Sequence, residues 1–389
     1  MRILLCTPQL ILESGGISRI LIRLADELRT LGHEAQILGP VEMGCEPEYI
    51  GGSPGAAYAR ALRAHLVAHA SDFDVVEYDH EHLPFPRGDF PAPPLFVARS
   101  VLLVQHFESI RIPASRTLRA LAGTIVHGRE RARVLRDRIA IADTTLRNAD
   151  LVNLANPIDR DVVVRRGIDP SRVAVIPYAL ASEVRAALGA ATSAAPPPDP
   201  VVAFIGTFDY RKGATSFGPM LEHLAHTVPN ARLRLLGCKG LFVDEQAIRS
   251  FFPRSLQSRV EIVMTFPREK LPELLADCSV GVFPSYLESF GLGVLEMMSA
   301  HLPVVAFDAP GPPVMVPQEL LVAPGDAKKM ASVVSGLLVD RERLERERAR
   351  ARAIAETFTW EGVARLTLSA YEAGRSARLR PSPSSPRKA

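Results

Sequence analysis

The sequence has little of several features that would mark a specialised class of protein. Its four cysteines, Cys6, Cys45, Cys238 and Cys278, show neither CxxC nor Cys/His spacing, so a disulfide framework and a zinc site are not expected. No apolar run reaches the ~18 residues that a membrane-spanning helix needs. The net charge of +3 is small for this length and argues against a nucleic-acid partner. These absences favour a globular protein of a reducing compartment, and we expect it in the cytoplasm.

What the sequence does contain favours two domains. Its 389 residues exceed the size at which one core usually suffices. Short apolar runs alternate with helical patterns in both halves, which is typical of parallel α/β sheets. Residues 182–200 lose this alternation and fill with Ala, Ser and Pro, so we predict a linker there. We therefore predict α/β domains over 1–181 and 201–357, a helix over 358–375 and a disordered basic tail over 376–389.

Two glutamates flank a glycine-containing turn in the second half. Glu288 and Glu296 stand eight positions apart around ESFGLG, directly after the apolar run 280–283. Ligands bind beyond the carboxyl ends of parallel strands, and the free amides at a helix start attract phosphate. A nucleotide-diphosphate sugar fits this spacing, with Glu288 on the sugar hydroxyls and Glu296 on the ribose. From spacing alone, a helix-start charge and a solvated helical residue are an equal alternative.

Two further turns point the same way. GTFDYRKG, residues 206–213, brings Arg211 and Lys212 to the end of the first strand of the second domain, where they would neutralise a diphosphate. A solvated basic turn is the commoner outcome for such a pair. Gly15 and Gly16 lie at the first strand-to-helix turn, where glycine lets the backbone approach a phosphate, although a plain loop has the same pattern. No GxGxxG follows the first strand, so a nicotinamide-dependent dehydrogenase is not expected.

Together these motifs resemble the retaining family 4 glycosyltransferases of GT-B fold, which carry an E-x7-E motif. The resemblance covers most of the chain, including SVLLVQH, GTFDYRKG, ESFGLGVLE and the closing FTW helix. It implies two Rossmann-like parallel-sheet domains facing across a cleft. The N-terminal domain would bind the acceptor and the C-terminal domain the nucleotide sugar, and the C-terminal helix would cross back to the N-terminal domain. It also implies transfer with retention and without a metal, the diphosphate oxygen accepting the acceptor's proton.

The resemblance assigns roles to individual residues. Glu288 looks like the glutamate beside the donor sugar, Glu296 like the one that holds the ribose, and Lys212 with Arg211 like the diphosphate cations. His106 looks like the family's active-site histidine, although a strand-end histidine held by local hydrogen bonds has the same pattern. The other donor-binding positions surround the diphosphate: Gly15, Gly16, Gly206, Thr207, Ser289, Phe290, Gly291 and Leu292.

The chain departs from the family pattern at three places. Thr207 stands where an arginine is usual, which leaves open whether Arg211 replaces it. PYA at 177–179 replaces Pro-Asn-Gly, and His301 stands where glycine is common. Two alternatives to transfer therefore stay open: a GT-B-like sugar-nucleotide epimerase, and a non-catalytic sugar-nucleotide binder.

The remaining charged stretches carry weaker signals. Asp72-Phe73-Asp74 has the DxD form of a metal site but leads into the apolar VVEY, so we expect a strand-entry turn, no metal and no cofactor besides the nucleotide sugar. The arginine-rich residues 111–138 favour a solvated helix over contact with a membrane surface. High Ala, Arg and Pro content is typical of a GC-rich bacterial source, and both natural-product and surface-glycan biosynthesis stay open. The nucleotide (UDP, GDP, ADP or dTDP), the sugar, the acceptor and the oligomeric state stay open.

Overall fold

The computed structural model describes residues 1–12, 16–47, 56–90, 93–113, 118–191 and 199–379. Within these residues the chain forms two six-stranded sheets in which every strand pair is parallel. The prediction of two Rossmann-like α/β domains is therefore confirmed. The chain divides into two compact units, of which the first contains Met1–Gln105, His127–Pro177 and Trp360–Ala389 and the second contains His106–Val126 and Tyr178–Thr359.

The first sheet has its strands in the order β2-β1-β3-β4-β5-β6. Because helices cover both faces, its central strands are near-continuous apolar runs. The strands are β1 (Arg2–Cys6), β2 (Glu34–Leu38), β3 (Val75–Asp79), β4 (Leu95–Arg99), β5 (Leu151–Leu154) and β6 (Val173–Val175). The helices along this part of the chain are α1 (Gly16–Thr30), α2 (Ala56–His69), α3 (Leu118–Asn148) and α4 (Pro157–Arg165).

The second sheet has the order β12-β11-β10-β7-β8-β9. Its strands are β7 (Val201–Ile205), β8 (Arg232–Leu236), β9 (Val260–Val263), β10 (Cys278–Phe283), β11 (Val304–Phe307) and β12 (Leu321–Val322). The helices are α5 (Ser182–Ala191), α6 (Ala214–Thr227), α7 (Glu245–Arg249), α8 (Leu271–Leu275), α9 (Leu292–Ser299), α10 (Ala327–Val339) and α11 (Arg341–Glu356). Since β7 and β10 are parallel neighbours, the segments that follow them start at the same edge of the sheet.

The last helix, α12 (Trp360–Leu379), belongs to the first unit. It packs against α1 and contacts β4. Gly374 lies so close to β4 that a Cβ there would come within 3.0 Å of Leu95 Cδ1. Arg375 Nη2 lies 3.1 Å from Asp74 Oδ1. The chain thus returns to the first unit after completing the second.

A buried polar network ties α12 to the first sheet. Glu77 on β3 is fully buried and is paired with Arg99 on β4, whose Nε lies 2.9 Å from Glu77 Oε1. Its Oε2 accepts hydrogen bonds from Asn153 Nδ2 and from the Tyr371 hydroxyl, each at 3.0 Å. A buried charge persists only where pairing and hydrogen bonds offset its loss of hydration. Both carboxylate oxygens of Glu77 are therefore occupied, by groups from β4, β5 and α12.

Three expectations about local structure need correction. The stretch 182–200 begins with α5, whose Leu188 is buried and which packs against α8 and α9. The alanines of this stretch have a high helix propensity, and residues 192–198 lie outside the described residues. The helical pattern REKLPELLADC, residues 268–278, predicts one helix, but the structure has the turn Arg268–Lys270 followed by the short α8. Pro272 is tolerated in the first turn of α8 but not inside a longer helix. Residues 376–379 continue α12, so the predicted disordered tail begins too early.

The arginine-rich stretch lies partly on α3. From 128 to 137 its side chains are half-buried or exposed on every side of the helix, which is typical of a solvated helix. In the described part of the chain, no helix is both long and apolar enough to cross a membrane.

Candidate functional site

The candidate site lies at the edge of the second sheet where β7 and β10 end. Residues 206–213 connect β7 to α6, and residues 284–291 connect β10 to α9. Gly213 has a φ of +85°, and a Cβ there would stand 2.2 Å from the carbonyl oxygen of Pro284. Any other residue would clash with the neighbouring backbone, so glycine is what lets the two segments meet.

Arg211 and Lys212 both pair with Glu288. Arg211 Nη1 lies 2.8 Å from Glu288 Oε1 and also donates to the carbonyl oxygen of Leu287 at 2.9 Å. The Lys212 ammonium contacts the same Oε1, and the side chains of Lys212 and Glu288 are 15% and 12% exposed. Lys212 Nζ also lies 5.3 Å from the centre of the Phe283 ring, a favourable cation–π distance. The two cations are therefore largely buried and do not form a solvated basic turn.

The charges around Glu288 determine its protonation. Burial alone would raise the pKa of this carboxyl, but the charges of Lys212 and Arg211 and their hydrogen bonds outweigh burial and lower its pKa from the ordinary 4.5. Glu288 is thus ionised at neutral pH, which suits a hydrogen-bond acceptor and makes it a weak base.

Asp209 holds the turn that presents the two cations. Its Oδ1 accepts a hydrogen bond from the backbone N–H of Lys212 at 2.8 Å, and its Oδ2 accepts one from the Thr207 hydroxyl at 2.9 Å. Thr207 therefore stabilises the turn through Asp209. The sequence analysis did not single out Asp209, although an aspartate whose side chain bonds a nearby backbone N–H is a common turn signal in a stretch such as DYRKG.

The start of α9 provides donors for an anion. Gly291 precedes the helix in a left-handed conformation with φ of +92°, and no side chain of the described residues caps it. A Cβ at Gly293 would stand 2.7 Å from the carbonyl oxygen of Ile205, so the first turn lies directly against the end of β7. Free amides and the helix dipole give this end a partial positive charge.

Glu296 lies within α9 and is only 2% exposed. The alternative of a solvated helical glutamate is therefore wrong. Its Oε1 accepts a hydrogen bond from Arg268 Nη1 at 2.8 Å. Arg268 follows β9 and its side chain is 51% exposed; the sequence analysis did not identify it, because the two residues stand 28 positions apart.

The other predicted donor-binding residues of the second unit lie in or next to these turns. Gly206 ends β7 with a φ of +149°. Ser289 and Phe290 are buried, and the Phe290 ring packs edge-on against Tyr178 and Phe358 at centroid distances of 5.7 and 5.5 Å. Leu292 is the first residue of α9. The departure PYA thus supplies an aromatic ring that supports the loop before α9.

The remaining predicted residues belong to other segments of the chain. Gly16 begins α1 in the first unit, and Gly15 lies outside the described residues. His106 is buried in the turn Val104–Glu108, where its carbonyl oxygen accepts hydrogen bonds from the backbone N–H groups of Ser109 and Ile110. His301 follows α9 with φ of +57°, a strained conformation for a residue with a Cβ.

One group in the described part of the chain has donor atoms close enough to hold a metal. Asp79, His80 and Glu81 place their donors within 4.8 Å of one another. Arg138 donates to both oxygens of Glu81, at 2.8 and 2.9 Å, and its charge opposes a cation. His80 Nε2 accepts from the backbone N–H of Val104 at 3.5 Å, which places the proton of the neutral ring on Nδ1. This bonding suits a structural cluster better than a metal site.

Part of the chain is similar in sequence to known proteins. Residues 199–340 match the family model described as Glycosyl transferases group 1. D-inositol 3-phosphate glycosyltransferase of Nocardia farcinica is 29% identical over 231 residues, which are 55% of this chain and 50% of that protein. O-antigen chain mannosyltransferase B of Escherichia coli is 37% identical over 107 residues, 27% of this chain and 28% of that protein. The chain thus matches half or less of the length of these two relatives.

Solved structures are similar over almost the whole chain. Sucrose-phosphate synthase of Thermosynechococcus elongatus has a TM-score of 0.69 at 20% identity and covers 97% of this chain and 99% of its own. Anabaena HepE, solved in complex with UDP and glucose, has a TM-score of 0.62 at 17% identity, with coverages of 96% and 100%. These likenesses confirm the GT-B fold class.

Proposed function

We propose that this chain is a glycosyltransferase, a proposal supported by the match of residues 199–340 to the family model described as Glycosyl transferases group 1. It moves a sugar from a nucleotide-diphosphate sugar to a hydroxyl group of a small-molecule or glycan acceptor. The observation that carries this proposal is the group formed by Glu288, Lys212 and Arg211 beside the uncapped start of α9.

The charges of this group suit a diphosphate. Two cations, Arg211 and Lys212, face two carboxylates, Asp209 and Glu288. A diphosphate at the start of α9 competes with Glu288 for Lys212, since phosphate oxygens are strong partners for ammonium groups. Once Lys212 turns to the diphosphate, Glu288 retains Arg211 and gains capacity to accept hydrogen bonds from the sugar hydroxyls.

The same exchange supports catalysis. Negative charge grows on the diphosphate as the bond to the sugar breaks, and a fixed cation stabilises the transition state more than the ground state. Glu288 is a weak base because its pKa is lowered, so we assign the acceptor's proton to the diphosphate oxygen. The acceptor then attacks from the face that the diphosphate leaves, and this geometry retains the configuration. No metal is required in this scheme. His106 and the turn at Gly15 and Gly16 belong to the proposal through the family resemblance.

The alternatives are weaker. An epimerase needs its own acid and base carboxylates, whereas Glu288 is held ionised between two cations. A silent binder remained open because Thr207 replaces an arginine, but Arg211 already supplies a second cation beside Lys212. Consumption of donor without acceptor, and the stereochemistry of the product, separate the three functions.

A panel of nucleotides tests the proposal first. We expect one of UDP, GDP, ADP or dTDP to raise the melting temperature, because a ligand at ~100 times its Kd adds ~2.7 kcal/mol of stability. UDP is the first choice, since HepE was solved with it. A melting temperature unchanged by all four nucleotides would contradict the proposal. The proposed cytoplasmic location and any contact with a membrane surface need separate measurements.

A further inference from the structure

We propose that Arg268 is a positioning residue that holds the Glu296 carboxylate ready for the ribose hydroxyls of a nucleoside diphosphate. The inference rests on the proposed function and adds a residue that neither the motif nor the comparisons assign. It concerns the second unit alone.

The burial of Glu296 is the first observation. A carboxylate that is 2% exposed loses most of its hydration, and neutral ribose hydroxyls replace that loss only in part. Glu296 therefore needs a cation that is present before any ligand binds. Arg268 is that cation, with its Nη1 2.8 Å from Glu296 Oε1.

The bonding within the pair is the second observation. Within the described residues, the bond from Arg268 is the one hydrogen bond that the Glu296 carboxylate accepts. Oε1 of Glu296 accepts the bond from Arg268, and Oε2 keeps its capacity to accept a hydrogen bond from a ligand. A ribose 2′- or 3′-hydroxyl is a donor of the kind that the second oxygen can accept, so the ligand completes the carboxylate without displacing Arg268.

The position of Arg268 in the fold is the third observation. It lies on the turn that follows β9, whereas Glu296 lies on the helix that follows β10, and β7 and β8 stand between these strands in the sheet. The pair thus bridges segments from opposite sides of β7 and β8. Because the side chain of Arg268 is half-exposed, its role in packing is small, and the main cost of its removal is the unpaired charge of Glu296.

A binding cycle tests this role. We propose to measure, by calorimetry, the Kd of UDP and of 2′-deoxy-UDP, or of the matching pair for the nucleotide that the thermal panel selects. The proteins are the unsubstituted chain, Arg268→Ala, Arg268→Lys and the control Lys270→Ala. Lys270 lies on the same turn, and its ammonium is 3.0 Å from Glu273, so its loss removes a nearby charge without affecting Glu296.

The proposal predicts how much the loss of the ribose 2′-hydroxyl weakens nucleotide binding in each variant; we call this weakening the penalty. In the unsubstituted chain and in Lys270→Ala, loss of the 2′-hydroxyl weakens binding ~10-fold or more, as expected for a hydrogen bond to a charged group. In Arg268→Ala, UDP binds ~10-fold more weakly and the penalty shrinks to ~3-fold or less. Arg268→Lys restores much of the penalty because it restores the charge.

Three results would overturn the inference. If Arg268→Ala weakens both nucleotides equally and keeps the full penalty, Arg268 acts on the phosphates and not through Glu296. If Lys270→Ala behaves like Arg268→Ala, the effect is general electrostatics. If Arg268→Ala does not fold, Arg268→Gln is measured in its place. If loss of the 2′-hydroxyl weakens binding to Arg268→Gln as much as to the unsubstituted chain, the inference is wrong. Binding of no nucleotide to the unsubstituted chain would overturn the proposed function itself.

Discussion

Glu77 is a buried carboxylate and Glu288 a largely buried one, with 12% of its side chain exposed. Both are paired with arginine, and they differ in how completely their oxygens are bonded. Glu77 lies within β3 and uses both oxygens, for Arg99, Asn153 and Tyr371. Glu288 lies beyond the end of β10 and receives both of its cations on one oxygen. Among the residues that the structure describes, Glu77 has partners on both oxygens, whereas the contacts of Glu288 with Arg211 and Lys212 fall on Oε1 and leave Oε2.

The difference in bonding predicts a structural role for Glu77 and a role in ligand binding for Glu288. A fully bonded buried charge stabilises one conformation, and its loss is felt as instability. A partly bonded charge at the end of a strand keeps capacity for a substrate, and its loss is felt in binding and rate. Four measurements break or sharpen this comparison.

The largest effect is expected at Glu77. Glu77→Ala leaves Arg99 buried without its counter-charge, so the free energy of unfolding falls by ~3–5 kcal/mol. Urea denaturation measures it, with the exposed Glu34→Ala on β2 as the control. A loss below ~1 kcal/mol would show that Glu77 is not a structural charge.

Lys212→Ala should chiefly change the rate. We expect kcat to fall ~100-fold or more, about 3 kcal/mol of transition-state stabilisation, while the fold persists because Arg211 still pairs with Glu288. Steady-state kinetics at saturating donor measure it, with Lys270→Ala as the matched control. Near-full turnover would remove Lys212 from the proposed mechanism.

Tyr371→Phe tests the link between α12 and the first sheet. The hydroxyl donates to Glu77 Oε2 at 3.0 Å, and a hydrogen bond to a charged group contributes ~1.5–3 kcal/mol. We expect a loss near the lower value in urea denaturation, because Asn153 still bonds the same oxygen. The exposed Leu366→Ala on the same helix is the control, and equal losses in the two variants would count against the link.

The smallest effect is expected from acid, which should reduce the stabilisation that the Glu288 carboxylate provides. Because its folded pKa is lowered, the stabilisation is fully present above its ordinary pKa of 4.5 and is lost as pH falls through the lowered value. The stability difference between the unsubstituted chain and Glu288→Gln should stay constant from pH 7 to about pH 5 and decline below that, by at most ~1.4 kcal/mol per pH unit. A difference that already changes between pH 7 and 5 would contradict the lowered pKa.

Much of the fold could be predicted from the sequence because buried parallel strands are short apolar runs between helical patterns. The runs at 73–78 and 279–285 correspond to β3 and β10. The α5 helix could have been predicted, because alanine has the highest helix propensity and the prolines of the predicted linker begin only at residue 196. The effect of Pro272 could also have been predicted locally, because proline favours the first turn of a helix over its interior.

Site residues within one sequence motif could be predicted, but contacts between segments that are distant in the sequence could not. Arg211, Lys212 and Glu288 could be named from motifs, but their shared oxygen depends on the close approach that Gly213 allows. The Arg268–Glu296 pair depends on how β9 and β10 are ordered in the sheet. No spacing rule along the chain predicts a contact of that kind.

The return of α12 to the first unit has a consequence for how the protein is made. On the ribosome, β3 and its Glu77 emerge almost three hundred residues before Tyr371, at a separation of 294 positions. At ~5–20 residues per second, the first unit waits on the order of fifteen seconds or more for the helix that completes its core. The second unit needs no such partner, so it can finish folding first even though it is synthesised later.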